Sequence, residues 1–316
     1  MTNSAQTVFL HDKSSGSEAT ILPGYGFNCV SFKPVVGGEP IEVIWAEEGF
    51  GPGSRPSRSG IPLLFPFAGR LRGVEFAFQE RTYRVEGAQI NDGNAIHGFV
   101  LNRPWRVVDQ SASSVTGEFQ ASVDDPTLVG QWPADFRVAV TYAVTGPALT
   151  CDVEIANPDD KPLPFAFGTH PYFRVPLGGS DRAACTVTVP ASTSWELDGG
   201  IPTGPTEPVS GMRDLRKGAR FGDLALDAVL TDLASANGAI QTVIDDPHSG
   251  RRLTQTFPDA FPHVVVYIAP HREAIAVEPY TCIPNPFALE ARGIDTGLRL
   301  LQPGETFAAR IEIRLD

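Results

Sequence analysis

Large apolar residues alternate with small or polar ones across the middle of the chain. The alternation runs from Phe136, breaks at Gly146 and Pro147, and resumes until Ile155. A two-residue period places every second side chain on one face of an extended strand, and a Gly–Pro pair between two such runs is typical of a turn. The segment therefore predicts an antiparallel hairpin whose apolar face lines a core.

Shorter alternating runs recur on both sides of this hairpin. They comprise Val74, Phe76 and Phe78, then Tyr83 and Val85, and near the C-terminus Ile311, Ile313 and Leu315. The 31 glycines and 28 prolines follow no repeating period and favour many turns. Because no long amphipathic helix separates the runs, a parallel α/β sheet is not expected. We predict an all-β fold, a large antiparallel β-sandwich with few short helices.

One segment carries a different period. Leu226, Val229, Leu230 and Leu233 fall at i, i+3, i+4 and i+7, the spacing of one face of a helix. This spacing conflicts with the all-β prediction, and for this segment both interpretations stay open.

The chain of 316 residues, 42% of them hydrophobic, is long enough for one large sandwich or for two smaller domains. The turn-rich stretch FGPGSRPSRSG at residues 50–60 has the composition of a linker. Strand patterns of the same kind lie on both sides of it, and no internal repeat is evident. We therefore expect a surface loop within a single domain over residues 1–316.

The net charge indicates which partners the protein can bind, and the N-terminal residues bear on its location. The 25 Lys and Arg against 37 Asp and Glu give a formal charge of −12, which opposes binding to nucleic acid or to an anionic membrane surface. Residues 1–20 lack a basic, then apolar, leader, and no run approaches the roughly 20 apolar residues of a membrane span. We expect a cytoplasmic protein.

Its four well-separated cysteines are expected to be buried free thiols.

Two histidines have unusual surroundings. His97 lies in AIHGF after the polar turn NDGN, and His170 lies in the aromatic run FAFGTHPYF. A histidine in such a run is expected to be buried, where its pKa depends strongly on its neighbours. The alternative for each is a structural histidine bonded to a backbone carbonyl. His11 and His248 are expected at the surface, and His263 and His271 at strand ends.

Two charged residues also stand in apolar runs. Glu278 lies in AIAVEPYTC and Arg70 in LLFPFAGRLRG. A carboxylate is seldom placed in an apolar run unless it is paired or functional, because an unpaired buried charge costs several kcal/mol. The alternatives are a strand-end carboxylate that faces water and an arginine that forms half of a salt bridge.

Motifs for metals and nucleotides are missing from the sequence. It contains no HxH, HExxH or paired Cys/His spacing, and neither a GxxxxGKS loop nor a GxGxxG turn between strand and helix. We therefore expect no metal site and no cofactor.

Taken together, four stretches resemble the aldose 1-epimerase (galactose mutarotase) family. They are GIPLLFPFAGRLRG at 60–73, AIHGFVLNRPW at 95–105, FGTHPYF at 167–173 and VEPYT at 277–281. Each string is short, but the four occur in the family's order. The resemblance implies a galactose mutarotase-like sandwich with an open groove on one concave sheet. It also implies cofactor-free interconversion of the α and β anomers of a free sugar.

The resemblance implies roles for five residues. Glu278 matches the family's general base and His170 its general acid, whereas His97 and Arg70 match residues that hold the substrate. Asp227, in LALDAVL, is the candidate for the acidic residue that holds sugar hydroxyls, although the residues around it depart from the family's usual string.

The chemistry suits these residue types. Ring opening removes a proton from the C1 hydroxyl and gives one to the ring oxygen, so a base and an acid must flank the anomeric centre. The negative charge of Glu278 is expected to help keep His170 protonated near neutral pH. Three aromatic residues are candidates either for packing on the sugar or for the core: Tyr172, Phe173 and Phe287.

The closest rival is a mutarotase for a hexose 6-phosphate, a related branch. That branch has an arginine just before the GIPLLFP-like string, which Arg58 resembles. A second arginine follows its HGF string, but Leu101 stands there in this chain and Arg103 comes two residues later. Four nearby arginines are candidates for facing an anion: Arg55, Arg58, Arg70 and Arg72. We favour the unphosphorylated sugar.

Two alternatives belong to other functional classes. A non-catalytic carbohydrate-binding protein could keep the same groove, although a binder has no need of an acid and a base. A glycoside hydrolase would need two carboxylates across the scissile bond, for which Asp227 and Glu278 are available. The sequence specifies neither the sugar nor the oligomeric state.

Overall fold

The structure, a computed structural model, describes residues 7–316. Within these residues the chain folds almost entirely into β-strands, with two short α-helices and six single 3₁₀ turns. The prediction of an all-β fold with few short helices is confirmed.

The first half of the described chain contains the following elements. The strands are β1 (Val8–His11), β2 (Glu18–Leu22), β3 (Asn28–Lys33), β4 (Val35–Val36), β5 (Glu39–Pro40), β6 (Leu63–Leu64), β7 (Arg70–Leu71), β8 (Glu75–Phe78), β9 (Arg81–Arg84), β10 (Gln89–Asn91), β11 (Asn94–Ile96), β12 (Arg106–Gln110), β13 (Ser114–Gln120), β14 (Arg137–Thr145) and β15 (Ala148–Ala156). Helix α1 is Ala121–Asp124, and the 3₁₀ turns are Pro56–Arg58, Val100–Asn102 and Pro126–Leu128.

The second half continues in the same style. The strands are β16 (Leu163–Phe165), β17 (Gly168–Thr169), β18 (Tyr172–Arg174), β19 (Thr186–Thr188), β20 (Ala191–Asp198), β21 (Ile201–Pro208), β22 (Ala219–Arg220), β23 (Asp227–Leu233), β24 (Ala239–Asp246), β25 (Arg251–Pro258), β26 (His263–Ile268), β27 (Ala274–Tyr280), β28 (Arg299–Leu301) and β29 (Thr306–Leu315). Helix α2 is Pro286–Glu290, and the 3₁₀ turns are Arg182–Ala184, Gly211–Arg213 and Phe221–Asp223.

Two large antiparallel sheets form the body of the fold. The nine-stranded sheet has the order β12-β13-β14-β15-β29-β25-β24-β19-β22. The eight-stranded sheet has the order β21-β20-β23-β26-β27-β17-β6, and β18 also pairs with β27. The predicted hairpin is β14–β15, in which Val140 lies opposite Val153.

The two sheets share one apolar core. The main cluster of buried residues extends from Val8 to Leu315 and includes Val140 and Ile311 of the nine-stranded sheet with Val266 and Val277 of the eight-stranded sheet. This continuity supports the expectation that residues 1–316 form a single domain, which stays a prediction. The sandwich architecture follows because each sheet buries its apolar face against the other.

The eight-stranded sheet is buried on both faces at its centre, and every residue of β27 is buried. Ile275 and Val277 point into the shared core. Side chains alternate between the faces of a strand, so Glu278 and Tyr280 lie on the opposite face with Val265 of β26. We call this second side the cleft face, because the candidate site lies on it.

The segment with helical spacing is strand β23. Leu230 packs into the shared core, whereas Val229 belongs to a separate buried cluster on the cleft face. A strand buried on both sides can carry apolar residues at consecutive positions, and in this segment they coincide with a helical period. The helical interpretation is wrong for this reason.

Other local predictions can also be checked. All four cysteines are buried and free, as predicted. The 50–60 segment contains the turn Pro56–Arg58, and the Tyr172 hydroxyl donates a hydrogen bond of 3.0 Å to the Ser57 carbonyl. Across residues 7–316, no helix combines the length and the apolar character that a membrane span requires.

Candidate active site

A cleft of about 270 Å³ opens on the cleft face of the eight-stranded sheet. Side chains of β23, β26 and β27 contribute to its lining, together with residues 55, 57, 58, 91, 92, 97 and 200. All five residues that the sequence singled out line this cleft: Arg70, His97, His170, Asp227 and Glu278.

Strand pairing brings His170 beside Glu278. Strands β17 and β18 both pair with β27, with Gly168 opposite Tyr280 and Tyr172 opposite Ala276. His170 lies midway between the two strands, so the register places it level with Glu278. Its Nε2 is 3.3 Å from Oε1 of Glu278, and the side chains are only 8% and 1% exposed.

Burial dominates the protonation of this pair. It raises the pKa of the Glu278 carboxyl well above its usual value, although the Tyr280 hydroxyl opposes the shift. It lowers the pKa of His170 to about 3. The substrate-free cleft therefore favours a neutral carboxyl beside a neutral imidazole. The expectation that Glu278 keeps His170 protonated near neutral pH is wrong, because desolvation of the charged forms outweighs their attraction.

Tyr280 contacts the same carboxyl, a contact that the sequence analysis missed. Its hydroxyl donates a hydrogen bond of 2.7 Å to Oε2 of Glu278. The available signal was the spacing in VEPYT, since residues i and i+2 of a strand lie on one face.

His97 is held by a reciprocal backbone contact with Gly69. Its own N–H donates to the Gly69 carbonyl at 2.9 Å, and its Nδ1 accepts from the Gly69 N–H at 3.3 Å. Because Nδ1 is an acceptor, the proton of the neutral ring is on Nε2. Burial, with the positive charges of Arg70 and Arg55 among its neighbours, lowers the pKa of His97 well below its usual value. His97 is thus a neutral hydrogen-bond donor.

The backbone at His97 has φ = 64°, and the next residue, Gly98, has φ = 75°. Non-glycine residues seldom adopt this left-handed region and are often found there at functional sites. A Cβ at Gly98 would lie 2.0 Å from the Phe65 carbonyl oxygen. The His97–Gly98 pair therefore allows the chain to pass close to the backbone of Phe65, which follows β6.

Arg70 begins β7, and its guanidinium lies over the backbone of Gly200. A Cβ at Gly200 would lie 2.3 Å from one terminal nitrogen of Arg70. Among residues 7–316, no carboxylate lies within 4.0 Å of this guanidinium. The alternative that Arg70 is half of a salt bridge is therefore not supported.

Asp227 is the first residue of β23 and lies opposite Tyr267 of β26. Water reaches its side chain at the mouth of the cleft, but the surrounding walls partly desolvate the carboxyl and raise its pKa, while Arg70 opposes the shift. Asp227 thus lies with the other four predicted residues although its sequence match was the least exact.

The remaining arginines divide between the cleft and the rest of the surface. Arg55 and Arg58 line the cleft. Arg72 forms an ion pair of 3.1 Å with Asp198, and Arg103 forms one of 2.6 Å with Asp125. Neither Arg72 nor Arg103 lines the cleft, and Leu101 is buried.

The three candidate aromatic residues also separate. Tyr172 lines the cleft, and its ring stacks on that of His170 with centroids 4.8 Å apart. Phe173 and Phe287 belong to the shared core instead. In the described part of the chain, no group of three or more His, Cys, Asp or Glu side chains is arranged to hold a metal ion.

Comparisons with known sequences identify relatives in Escherichia coli strain K12. The uncharacterized protein YphB is 30% identical over 139 residues, which cover 43% of this chain and 42% of YphB. The uncharacterized protein YihR is 23% identical over 244 residues, which cover 77% of this chain and 75% of YihR. The match to YphB thus spans less than half of that protein's length.

Solved structures share the fold. A galactose mutarotase-like protein from Clostridium acetobutylicum superposes with a TM-score of 0.84 at 21% identity, over 99% of this chain and 98% of that one. The GalM/aldose epimerase homologue from C. elegans gives a TM-score of 0.80 at 21% identity, over 98% of each chain. These similarities confirm the galactose mutarotase-like sandwich.

The family model described as aldose 1-epimerase matches residues 16–314. The match includes all four of the sequence stretches and all five of the predicted cleft residues. Since it spans nearly the whole sequence, this chain belongs to the aldose 1-epimerase family.

Proposed function

We propose that this protein is an aldose 1-epimerase (mutarotase), an isomerase that interconverts the α and β anomers of a free aldose. The observation that carries the proposal is the buried contact of 3.3 Å between His170 and Glu278 in the wall of a sugar-sized cleft. Such a pair can remove one proton and supply another within the same site. A small-molecule sugar is the proposed partner.

Ring opening starts from the charged form of the pair. The Glu278 carboxylate accepts the proton of the C1 hydroxyl while the His170 imidazolium gives a proton to the ring oxygen. The C1–O5 bond breaks, a C1 aldehyde forms, and both side chains become neutral. Because burial favours the neutral pair, forming the charged pair costs free energy, and the proton transfers of ring opening recover that cost.

Ring closure reverses the proton transfers. Rotation about the C1–C2 bond first presents the other face of the aldehyde to the C5 hydroxyl. His170 then accepts the proton of that hydroxyl as O5 bonds to C1, and Glu278 returns a proton to the aldehyde oxygen. The charged pair is restored, and the overall reaction consumes no proton.

The other cleft residues suit the binding of sugar hydroxyls. Neutral His97 offers Nε2–H as a donor, Arg70 offers a guanidinium with no carboxylate partner among residues 7–316, and Asp227 offers an acceptor. Hydrogen bonds from the sugar's C1 hydroxyl to Glu278 and from His170 to the ring oxygen would stabilise the charged form of the pair.

Polarimetry tests the proposal. Freshly dissolved α-D-glucose and α-D-galactose are followed with wild-type protein, with Glu278→Gln and with Glu75→Gln, whose carboxylate pairs with Arg84 on the surface. We expect wild type and Glu75→Gln to accelerate mutarotation equally, and Glu278→Gln to be about 10²- to 10⁴-fold slower. Equal rates for Glu278→Gln and wild type would overturn the assignment of the base.

A second candidate substrate is a hexose 6-phosphate, which Arg55 and Arg58 favour. Both line the cleft, and neither lies within 4.0 Å of a carboxylate among residues 7–316, although the whole chain has a charge of −12. Local positive charge in a cleft can attract an anionic substrate against the net charge. Arg103 does not complete a phosphate clamp, because Asp125 engages it elsewhere.

Anomer exchange measured by NMR on glucose and on glucose 6-phosphate separates the two substrates. If the phosphate is bound, Arg58→Gln raises KM for glucose 6-phosphate only, and added salt weakens binding of that substrate. Equal effects on both sugars would favour the free aldose. Release of nitrophenol from a nitrophenyl glycoside would instead indicate a glycoside hydrolase.

Binding without catalysis would indicate a carbohydrate-binding protein. Isothermal titration calorimetry with each sugar detects it: a sugar that binds while its mutarotation rate stays at the spontaneous value would contradict the proposed enzyme.

A further inference from the structure

We propose that Tyr280 is a positioning residue for the reaction: its hydroxyl fixes the Glu278 carboxyl so that Oε1 alone is presented to His170 and to the sugar. This inference rests on the proposed mutarotase function. It concerns a residue outside the five that the sequence motifs identified.

The two carboxyl oxygens have different partners. Oε2 of Glu278 accepts the Tyr280 hydroxyl at 2.7 Å, and Oε1 lies 3.3 Å from Nε2 of His170. Glu278 and Tyr280 are each only 1% exposed. With Oε2 engaged by a buried donor on the same strand, rotation of the carboxyl would break that bond, so Oε1 remains directed towards His170.

Gly168 makes room for the tyrosine ring. It pairs with Tyr280 across β17 and β27, and a Cβ at Gly168 would lie 2.5 Å and 2.8 Å from two ring carbons of Tyr280. A side chain at Gly168 would therefore displace the ring and its hydroxyl. The glycine of FGTHPYF thus supports the carboxyl from a different strand.

The hydroxyl also acts on the protonation of Glu278. Burial raises the pKa of the Tyr280 phenol well above its usual value, so the phenol stays a donor. A donor stabilises a carboxylate more than a neutral carboxyl, so the Tyr280 hydroxyl opposes the rise in the pKa of Glu278 that burial causes. Asp227 adds to that rise and Arg70 opposes it.

Other ionisable groups face the carboxyl from neighbouring elements. They are His170 between β17 and β18, Tyr172 on β18, Tyr267 on β26, Asp227 on β23 and Arg70 on β7. Replacing only the Tyr280 hydroxyl leaves all of these groups in place.

The first test compares Tyr280→Phe with Tyr142→Phe. Tyr142 is a matched control because it is fully buried in the shared core and does not line the cleft. We expect Tyr280→Phe to lower kcat for mutarotation about tenfold or more with little change in KM. We also expect the alkaline limb of the pH–rate profile, which reports loss of the proton from Glu278, to move about one to two pH units higher, the size of a hydrogen bond to a charged group. Tyr142→Phe should change neither.

A second variant keeps the shape of the side chain. Site-specific 3-fluorotyrosine at position 280 is a stronger donor, so it lowers the pKa of Glu278 and the alkaline limb should move to lower pH. An unchanged limb in both Tyr280 variants would overturn the proposal, because a merely structural tyrosine would not shift the limb in opposite directions.

A readout without turnover separates this proposal from the proposed function. The ¹³C titration of the Glu278 carboxyl, assigned by its absence from the Glu278→Gln spectrum, should move to higher pH in Tyr280→Phe and stay in place in Tyr142→Phe. If wild type fails to accelerate any sugar but the titration moves, the Tyr280 contact stands and the mutarotase assignment falls. If the rates change but the titration does not, the Tyr280 proposal falls.

Discussion

Nε2 of His170 lies 3.3 Å from Oε1 of Glu278, and protein encloses both side chains. The contact depends on β27, which pairs with β17 before His170 and with β18 after it. Burial of two ionisable groups at this distance makes their protonation sensitive to every neighbour. It also couples the chemistry of the cleft to the stability of the fold.

We predict that Glu278→Gln stabilises the protein increasingly as pH rises above about 4.5. The folded-state pKa of Glu278 is raised above the ordinary value of 4.5. Between these two values the folded state holds a proton that the unfolded state releases, so the wild-type free energy of unfolding decreases with pH. Glutamine removes this effect. The advantage of the variant should grow by roughly 1 kcal/mol per pH unit.

Urea unfolding at pH 4.5, 6.0 and 7.5 measures this difference. Glu75→Gln, on the surface, is the control. A difference between Glu278→Gln and wild type that stays constant across the three pH values would contradict the raised pKa.

Because several histidines are buried, we predict that the free energy of unfolding decreases in acid. Burial lowers the pKa of His170 to about 3 and that of His263 to about 4, from 6.5, and lowers that of His97 well below 6.5. Below pH 6.5 the unfolded chain therefore binds protons that the folded chain does not. The contribution of these residues to the free energy of unfolding is therefore fully present above pH 6.5. It is lost as pH falls from 6.5 to the pKa values of the folded state.

Denaturant unfolding between pH 7 and pH 5 tests this prediction. His263→Gln should reduce the pH slope of the free energy of unfolding by up to about 1.4 kcal/mol per unit, because it removes one proton. His11→Gln, at an exposed position, is the control. If the slope of His263→Gln equals that of wild type, the buried-histidine explanation is wrong.

We predict that Gly200→Ala impairs sugar binding through Arg70. The new Cβ would lie 2.3 Å from the guanidinium, which must move. KM should rise about tenfold if one charged hydrogen bond is lost, with a smaller change in kcat. Gly199→Ala is a matched control, because Gly199 also has a positive φ of 57° but a Cβ there meets no atom within 4 Å.

Both variants introduce left-handed strain of about 1 kcal/mol. Thermal unfolding should therefore show similar losses for the two, whereas steady-state kinetics should separate them. Equal KM values in Gly199→Ala and Gly200→Ala would contradict a role for the Arg70–Gly200 contact.

Two substitutions at His97 test separately its left-handed backbone conformation and the hydrogen-bond donor of its side chain. Asparagine tolerates φ = 64° better than other non-glycine residues do, whereas a β-branched side chain is strained there. We expect His97→Asn to raise KM about tenfold by removing the Nε2–H donor, and to be about 1 kcal/mol more stable than His97→Val. Kinetics and thermal unfolding of both variants measure this. A wild-type KM in His97→Asn would exclude the donor role.

Several features could be predicted from residues close together in the sequence. Strict alternation in β14 and β15 predicted the hairpin, because a half-buried strand repeats every two residues. Glu278 and His170 stood out because polar groups are rare in apolar runs. The same reasoning failed for β23, where burial on both faces removes the alternation. It also missed the contact of Tyr280, because the role of its hydroxyl becomes evident only once Glu278 is known to lie on the same face of β27.

The sequence by itself determined the all-β class, the strands with strict alternation such as β14 and β15, and the family, because these depend on local periodicity and on short ordered motifs. Only the tertiary structure decided that His170 lies level with Glu278, that Gly168 leaves space for Tyr280, and that Arg55 and Arg58 share the cleft while Arg103 does not. Only the tertiary structure decided the directions of the pKa shifts as well, upward for Glu278 and downward for His170. Desolvation depends on how completely distant segments enclose a group, and that enclosure arises when the sheet assembles.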